Sequence, residues 1–202
     1  MKKTMMALAL AGACAHAQAQ GTTNWRAFAS VGLAWGGEQI TEGDIILRGT
    51  TSSHHFQIKA GDGLQVRVGA DYRLLPRLTL QGSVGYSTNA PMGDNGSLTF
   101  TTVPVEVLAF VDLTSSLRIG GGARKTRADI KATGVAENWP VTGDYDSSGG
   151  GVVELQYLTQ FTAQDKTQFG VSLRYVTETF THSRTGLQFN GNHYELAAAL
   201  YY

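Results

Sequence analysis

Eight segments in which apolar and polar residues alternate constrain this chain more than any other feature. The period is two, as in a β-strand whose side chains point alternately to its two faces. The first segment places Trp25, Ala27, Ala29, Val31, Leu33 and Trp35 on one face, and the others lie near residues 64–74, 78–86, 103–111, 117–123, 153–161, 169–175 and 194–202. Each apolar part is about ten residues long, which is the length of a tilted strand that crosses a membrane. The pattern predicts an all-β chain with a lipid-facing side.

The strands of a soluble β-sandwich also alternate between apolar and polar residues. The charged residues on the polar face of this chain favour a membrane barrel over a sandwich. A sandwich core seldom tolerates full charges at mid-strand, whereas a barrel lumen holds them when they are paired. Three connections, LLPR, LTSS and AQDK, are tight, and the other four are long and polar, near residues 36–57, 88–97, 129–150 and 182–191. Short periplasmic turns and long extracellular loops give this asymmetry. We therefore predict an eight-stranded antiparallel up-and-down transmembrane β-barrel.

Aromatic residues concentrate near the ends of the apolar faces, where membrane barrels carry girdles at the two interfaces. The predicted girdle residues are Trp25, Trp35, Tyr72, Tyr86, Tyr157, Phe161, Phe169, Tyr175, Tyr194 and Tyr202. The last strand ends on one of them, and we expect it to close the barrel against residues 25–35.

The N-terminus has the order of a secretory signal peptide. Lys2 and Lys3 precede the short, mostly apolar run MMALALAGACA, and AHA and AQA then offer cleavage sites. The run is too short for a spanning helix. We predict a signal peptide at residues 1–19 and a barrel domain at 20–202. LAGAC leaves a second possibility, a lipoprotein signal in which Cys14, the one cysteine of the chain, is lipidated.

The charge composition excludes a polybasic nucleic-acid surface. The chain has 16 basic and 16 acidic residues, and loss of Lys2 and Lys3 with the signal leaves 14 against 16.

The tight turns predict which lumen charges pair. A hairpin centred on Ser115 brings Asp112 opposite Arg118 and Glu106 opposite Arg124, and one centred on Gln164 brings Glu154 opposite Arg174. Over all positions predicted to face the lumen, six arginines balance six acidic residues. They are Arg26, Arg67, Arg73, Arg118, Arg124 and Arg174, and Asp71, Glu106, Asp112, Glu154, Glu178 and Glu195. The balance predicts a filled, charge-compensated interior.

The signal segment, strand count, loop asymmetry and terminal Tyr202 together resemble the small eight-stranded outer-membrane β-barrels of the OmpA and OmpX type, over roughly residues 22–202. FTTVPVEVLAF and LRIGGGAR also resemble a broad group of outer-membrane barrel proteins. The resemblance implies a Gram-negative outer-membrane location, lipid and lipopolysaccharide as neighbours, and a last strand, ending at Tyr202, that is the signal read by the barrel-assembly machinery. We expect a monomer with no cofactor.

Outward basic residues at the outer end of the fifth strand are candidates for a lipid contact. Lys125, Arg127 and Lys131 share that face just above the apolar band, at the height of lipopolysaccharide phosphates. Simple solvation at the base of a loop is the alternative.

The long loops are the expected functional region, because loops on a rigid scaffold tolerate change. In the first loop, GDIILRG and SHHFQIKAG predict a hairpin that projects from the membrane. No metal site is predicted there, since the adjacent His54 and His55 point to opposite faces. The predicted role is structural or surface interaction.

A narrow channel and a lipid A-modifying enzyme remain the alternatives. The eight-stranded lumen is only wide enough for side chains. For an enzyme, His182 beside Ser183 and His193 beside Glu195 are the candidates, but no recognisable triad joins them.

Overall fold

Strands account for most of the structure, a computed structural model that describes residues 24–46, 53–90, 92–93, 96–134, 140–160 and 167–202. In chain order they are β1 (Trp25–Gly36), β2 (Gln39–Ile46), β3 (Ser53–Lys59), β4 (Gly63–Leu75), β5 (Leu78–Asn89), β6 (Met92–Gly93), β7 (Gly96–Asp112), β8 (Leu117–Gly134), β9 (Gly143–Ser147), β10 (Gly150–Gln160), β11 (Gln168–Thr177), β12 (Thr179–His182), β13 (Gln188–Asn190) and β14 (His193–Tyr201). No stretch of these residues forms a helix long and apolar enough to cross a membrane. The predicted signal peptide, Cys14 and Phe161 lie outside the described residues.

Eight of these strands close into a ring. The antiparallel neighbours follow the order β1, β4, β5, β7, β8, β10, β11 and β14, and β14 returns to β1. Within the described residues, each of the eight alternating segments of the sequence lies in one of these strands, apart from the terminal Tyr202. Closure pairs every barrel strand on both sides, so the barrel has no open edge. The predicted fold and the closing role of the last strand are confirmed.

The predicted hairpin registers are also confirmed. Glu106 lies opposite Arg124 and Asp112 opposite Arg118 across β7 and β8. Glu154 lies opposite Arg174 across β10 and β11. Since one residue of slip would exchange the two faces of a strand, these registers fix which side chains point inward.

The outward face of the ring is apolar and exposed. Val107 exposes 62% of its surface and Leu33 61%, and similar residues occupy the outward positions of the neighbouring strands. An apolar surface of this extent is stable in contact with lipid rather than water.

Aromatic rings inside the barrel lie directly over inward-facing glycines. A Cβ added to Gly120 would approach the Phe110 ring to 2.5 Å, and one added to Gly69 would approach the Phe28 ring to 2.6 Å. Only glycine leaves room for these rings, so both positions are fixed by packing.

Beyond the barrel, the chain builds a folded outer layer, which we define as residues 37–62, 92–102, 126–147 and 179–192 within the described ranges. It contains the extensions of β7 and β8, the strands β6, β9, β12 and β13, and the β2–β3 hairpin, which forms its own sheet. The predicted hairpin is therefore present, and the long connections at 129–150 and 182–191 contain strands of their own. Strand pairing continues through much of both segments, because their inward side chains are apolar and pack together.

The outer layer has its own apolar core. Its buried members are Ile40, Ile58, Ala60, Leu98, Phe100, Ala128, Ile130, Tyr145, Phe180 and Phe189. Burial of each large side chain stabilises the layer by about 1.5–3 kcal/mol. The core lies over the outer end of the lumen, since β7 and β8 supply residues to both.

Candidate functional site

Seven charged side chains form one buried network at the middle of the lumen. Each exposes 5% of its surface or less: Arg67, Arg124, Arg174, Glu106, Glu154, Glu178 and Glu195. Arg174 joins three of the acids, with Nη2 2.6 Å from Glu106 Oε2, Nε 3.0 Å from Glu154 Oε2, and Nη1 bound to Glu195. The charges compensate one another across strands that are far apart in the sequence.

Arg124 makes the outer half of the same network. Its Nη1 lies 3.0 Å from Glu106 Oε1 and 3.1 Å from Glu195 Oε1, and its Nη2 lies 3.2 Å from Glu178 Oε1. Loss of one member would leave its partners as uncompensated buried charges, which is far more costly than loss of a surface pair.

His193 joins the network through Glu195, with which the sequence already groups it. Its Nδ1 lies 2.6 Å from the carbonyl oxygen of Gly191, and its Nε2 lies 2.9 Å from Glu195 Oε1. Through these two contacts His193 links the Glu195 carboxylate to the backbone just before β14.

A second cluster lies nearer the periplasmic end, around Asp71. Its Oδ2 accepts from Arg26 Nη2 at 2.7 Å and from Arg118 Nη1 at 2.9 Å, while Oδ1 accepts from Gln81 at 2.8 Å. The Arg118 guanidinium also stacks on the Phe110 ring, 4.3 Å from its centroid. Gln81 and Arg26 are the register partners of Asp71 on the two neighbouring strands, whereas Arg118 reaches it across the lumen from β8. Sequence reasoning missed the cluster because it considered the registers of two other hairpins only.

Two of the three predicted charge pairs therefore meet, and one does not. Glu106 contacts Arg124, and Glu154 contacts Arg174. Asp112 lies opposite Arg118 in register, but the longer Arg118 side chain turns into the lumen and binds Asp71 instead. Arg73, predicted to face the lumen, is exposed at the periplasmic mouth.

The outer layer closes the lumen above the charged network. Phe100 and Phe180 pack edge to face with centroids 5.8 Å apart, and Tyr145 packs edge to face on His182 at 4.8 Å. Burial raises the pKa of Tyr145 to about 12, and its hydroxyl donates to the carbonyl of Val141 at 2.8 Å. Between this core and the network, the structure leaves a space of about 10 Å³ beside His193, which is room for one water.

The predicted girdle residues divide between the two ends of the barrel. Trp25 and Tyr72 contact each other at the short-turn end with centroids 4.7 Å apart. Tyr194 contacts Trp35 at 6.3 Å and Tyr175 at 4.9 Å at the outer end. Tyr86, Tyr157 and Tyr202 are exposed, and Phe169 is partly buried.

The three predicted lipid-phosphate residues are exposed at the outer end of β8, as expected, but they differ in their partners. Lys125 donates to the carbonyl of Ser147. Lys131 lies 2.9 Å from Asp129 Oδ1, and this hydrogen bond raises the pKa of Lys131. Arg127 has no ion pair within the described part of the chain, so it is the side chain most available to an external phosphate.

The histidines considered for catalysis hold the local backbone instead. His182 Nδ1 accepts from the backbone N–H groups of Arg184 and Thr185 at 3.1 Å, and Nε2 lies 3.1 Å from the carbonyl of Thr142. Among the described residues, no three His, Cys, Asp or Glu side chains are grouped closely enough to hold a metal ion. The side chain of His54 lies outside the described part.

A closed ring of eight strands with a lipid-facing apolar band and a charged interior defines an integral β-barrel of the bacterial outer membrane. Residues 5–200 match the model of the outer membrane protein beta-barrel domain family, and the chain belongs to that family.

Two solved structures have the same architecture. Neisserial surface protein A is 16% identical, with a TM-score of 0.52 over 90% of this chain and 98% of its own. The attachment invasion locus protein Ail of Yersinia pestis, determined in complex with the heparin analogue sucrose octasulfate, is 10% identical, with a TM-score of 0.53 over 88% of this chain and 99% of its own. No curated protein matches the chain. At these identities the likeness establishes the fold alone.

Proposed function

We propose that this chain is a surface-interaction protein whose outer layer is a rigid binding platform and whose barrel is the anchor. The observation that carries the proposal is the separate apolar core of the outer layer, with Ile58 and Phe180 almost fully buried. A barrel that served only as an envelope component would not need a packed core outside the membrane. Rigid surfaces bind partners with less loss of conformational freedom than flexible loops.

The charge of the outer layer favours neutral or basic partners. Its described residues include seven acidic ones, Glu38, Glu42, Asp44, Asp62, Asp129, Asp144 and Asp146, and four basic ones, Lys59, Arg127, Lys131 and Arg184. A net negative platform repels polyanions. A heparin-like sulfated sugar, the ligand in the Ail structure, is therefore a poor match for this chain.

Adhesion of bacteria that display the full chain tests the proposal. Ile58→Asp places a charge in the outer core and should unfold the outer layer while the barrel still inserts. Gln57→Asp introduces the same charge at the exposed neighbouring position on β3 and is the matched control. We expect adhesion to cultured epithelial cells to be lost only in the Ile58 variant. Equal adhesion of both variants, or no adhesion above cells without the protein, contradicts the proposal.

Export and lipid contact complete the proposal. Residues 1–19 would direct secretion and be removed, which N-terminal sequencing of the purified protein would reveal as a chain beginning near residue 18 or 20. Arg127 would hold a lipopolysaccharide phosphate at the outer interface, with Lys125 and Lys131 adding to the local positive charge. Unchanged lipopolysaccharide retention after replacement of all three by Gln contradicts this contact.

A further inference from the structure

A cavity of about 290 Å³ lies at the periplasmic end of the lumen, below the Asp71 cluster. The LTSS turn forms one wall through Thr114, Ser115 and Ser116, and Arg26, Arg73 and Arg118 enter from the strand ends. Arg73 and Ser115 are exposed, so solutes reach the cavity from the periplasm. The surface-interaction role of the outer layer does not involve this end of the molecule.

The cavity has an excess of positive charge among the described residues. Asp71 is shared by two guanidinium groups, those of Arg26 and Arg118. Arg73 and Asp112 line the cavity, and neither forms an ion pair within the described part of the chain. Three arginines thus face two carboxylates, and Arg73 is the one of the three that is exposed and has no ion pair among the described residues.

We propose that this cavity binds a small organic anion from the periplasm through its carboxylate or phosphate group. The Arg73 guanidinium makes the primary contact, since a planar guanidinium binds both kinds of group with two parallel hydrogen bonds. The turn supplies hydroxyl donors beside it. Thr114 Oγ1 already accepts from the backbone of Ser116 and Leu117, at 3.2 and 3.0 Å, which holds the turn in place.

The volume of the cavity leaves room for a short organic body attached to the anionic group. A water molecule takes about 30 Å³ in the liquid, so the space holds roughly ten waters. A carboxylate or phosphate with a short organic body displaces more of this water and buries more of its own surface than a free ion.

Binding to the full mature chain in octyl glucoside micelles, which contain no phosphate, tests the proposal. The probes are inorganic phosphate, acetyl-alanyl-alanine and the carboxamide of that peptide, followed through the amide NMR signals of residues 114–116. We expect saturable shifts with phosphate, with the peptide carboxylate or with both, and no shift with the carboxamide. A response to phosphate alone or to the carboxylate alone identifies which group the cavity prefers.

Three variants make the test specific. Arg73→Gln should weaken binding about tenfold or more, since it removes a charged donor. Asp112→Asn should tighten binding, because it removes a negative charge from the cavity wall. Arg77→Gln is the control, because Arg77 is exposed at the β4–β5 turn and does not line the cavity. Absence of saturation, an equal loss in the Arg77 variant, or weaker binding in the Asp112 variant overturns the proposal.

Discussion

At the scale of single residues, Arg174 joins three buried carboxylates of the lumen network. Replacement by Met keeps much of the volume but leaves Glu106, Glu154 and Glu195 short of a cation. We expect Arg174→Met to lower the free energy of unfolding by about 3–5 kcal/mol. Urea unfolding in lipid vesicles measures the change, with the exposed Arg127→Met as control. If the free energy of unfolding falls no more than in the control, the charged network contributes little to the stability of the barrel.

Gly120 gives a second test at this scale. Gly120→Ala places a Cβ 2.5 Å from the Phe110 ring, which is also in contact with the Arg118 guanidinium. We expect the free energy of unfolding to fall by about 1–3 kcal/mol, as in other protein interiors that are overpacked. Gly82 is the matched control, since a Cβ there meets no atom within 4 Å. Equal stability of the two alanine variants in the same unfolding experiment would contradict the packing argument.

At the scale of elements, the C-terminal end of the chain carries two tyrosines with different roles. Tyr201, the last residue of β14, packs inside the barrel, and Tyr202 follows it on the outside. Tyr201 is fully buried, stacks on Phe28 at 5.3 Å and accepts a hydrogen bond from Gln156 at 2.6 Å. Tyr202 exposes 59% of its surface, and its contacts to Ala27 involve only the backbone. The first side chain belongs to the fold, and the second is available to an assembly factor.

We therefore predict different phenotypes for the two tyrosines. Tyr202→Ala should reduce the amount of folded protein in cells but leave unassisted refolding in detergent unchanged. Tyr201→Ala should impair both, because it empties part of the barrel core. Heat-dependent mobility on gels measures folding in each setting. Normal assembly of the Tyr202 variant in cells would contradict a signal at this residue.

The comparison of sequence and structure is also clearest at the scale of elements. The barrel strands, their order and the register of two hairpins follow from alternation and turn length, because both are local. The Asp71–Arg118 contact does not, since Arg118 lies on β8, which does not pair with β4. The outer core could have been found: the inward positions Leu98, Phe100, Ala128 and Ile130 turn apolar beyond the charged zone, which favours continued packing over free loops.

At the scale of the whole molecule, the interior is layered from a periplasmic aromatic cluster through buried charges to the outer core. Such a lumen should not conduct. We predict no stable current steps when the purified chain is inserted in planar bilayers. Arg73→Gln should also give none, since the buried charges and the outer core that fill the lumen lie farther inside than Arg73. A well-defined conductance in the wild-type chain would restore the channel alternative.

The buried network also has a consequence for how the barrel reaches its final form. Arg174 meets Glu106, 68 positions away in the sequence, only when the ring has closed in the correct register. A slip of one residue in β11 would turn Arg174 toward lipid, at a cost of about 2–4 kcal/mol near the bilayer midplane, and would leave three acids without it. The buried charges thus favour the correct register of the closed barrel over a misaligned one.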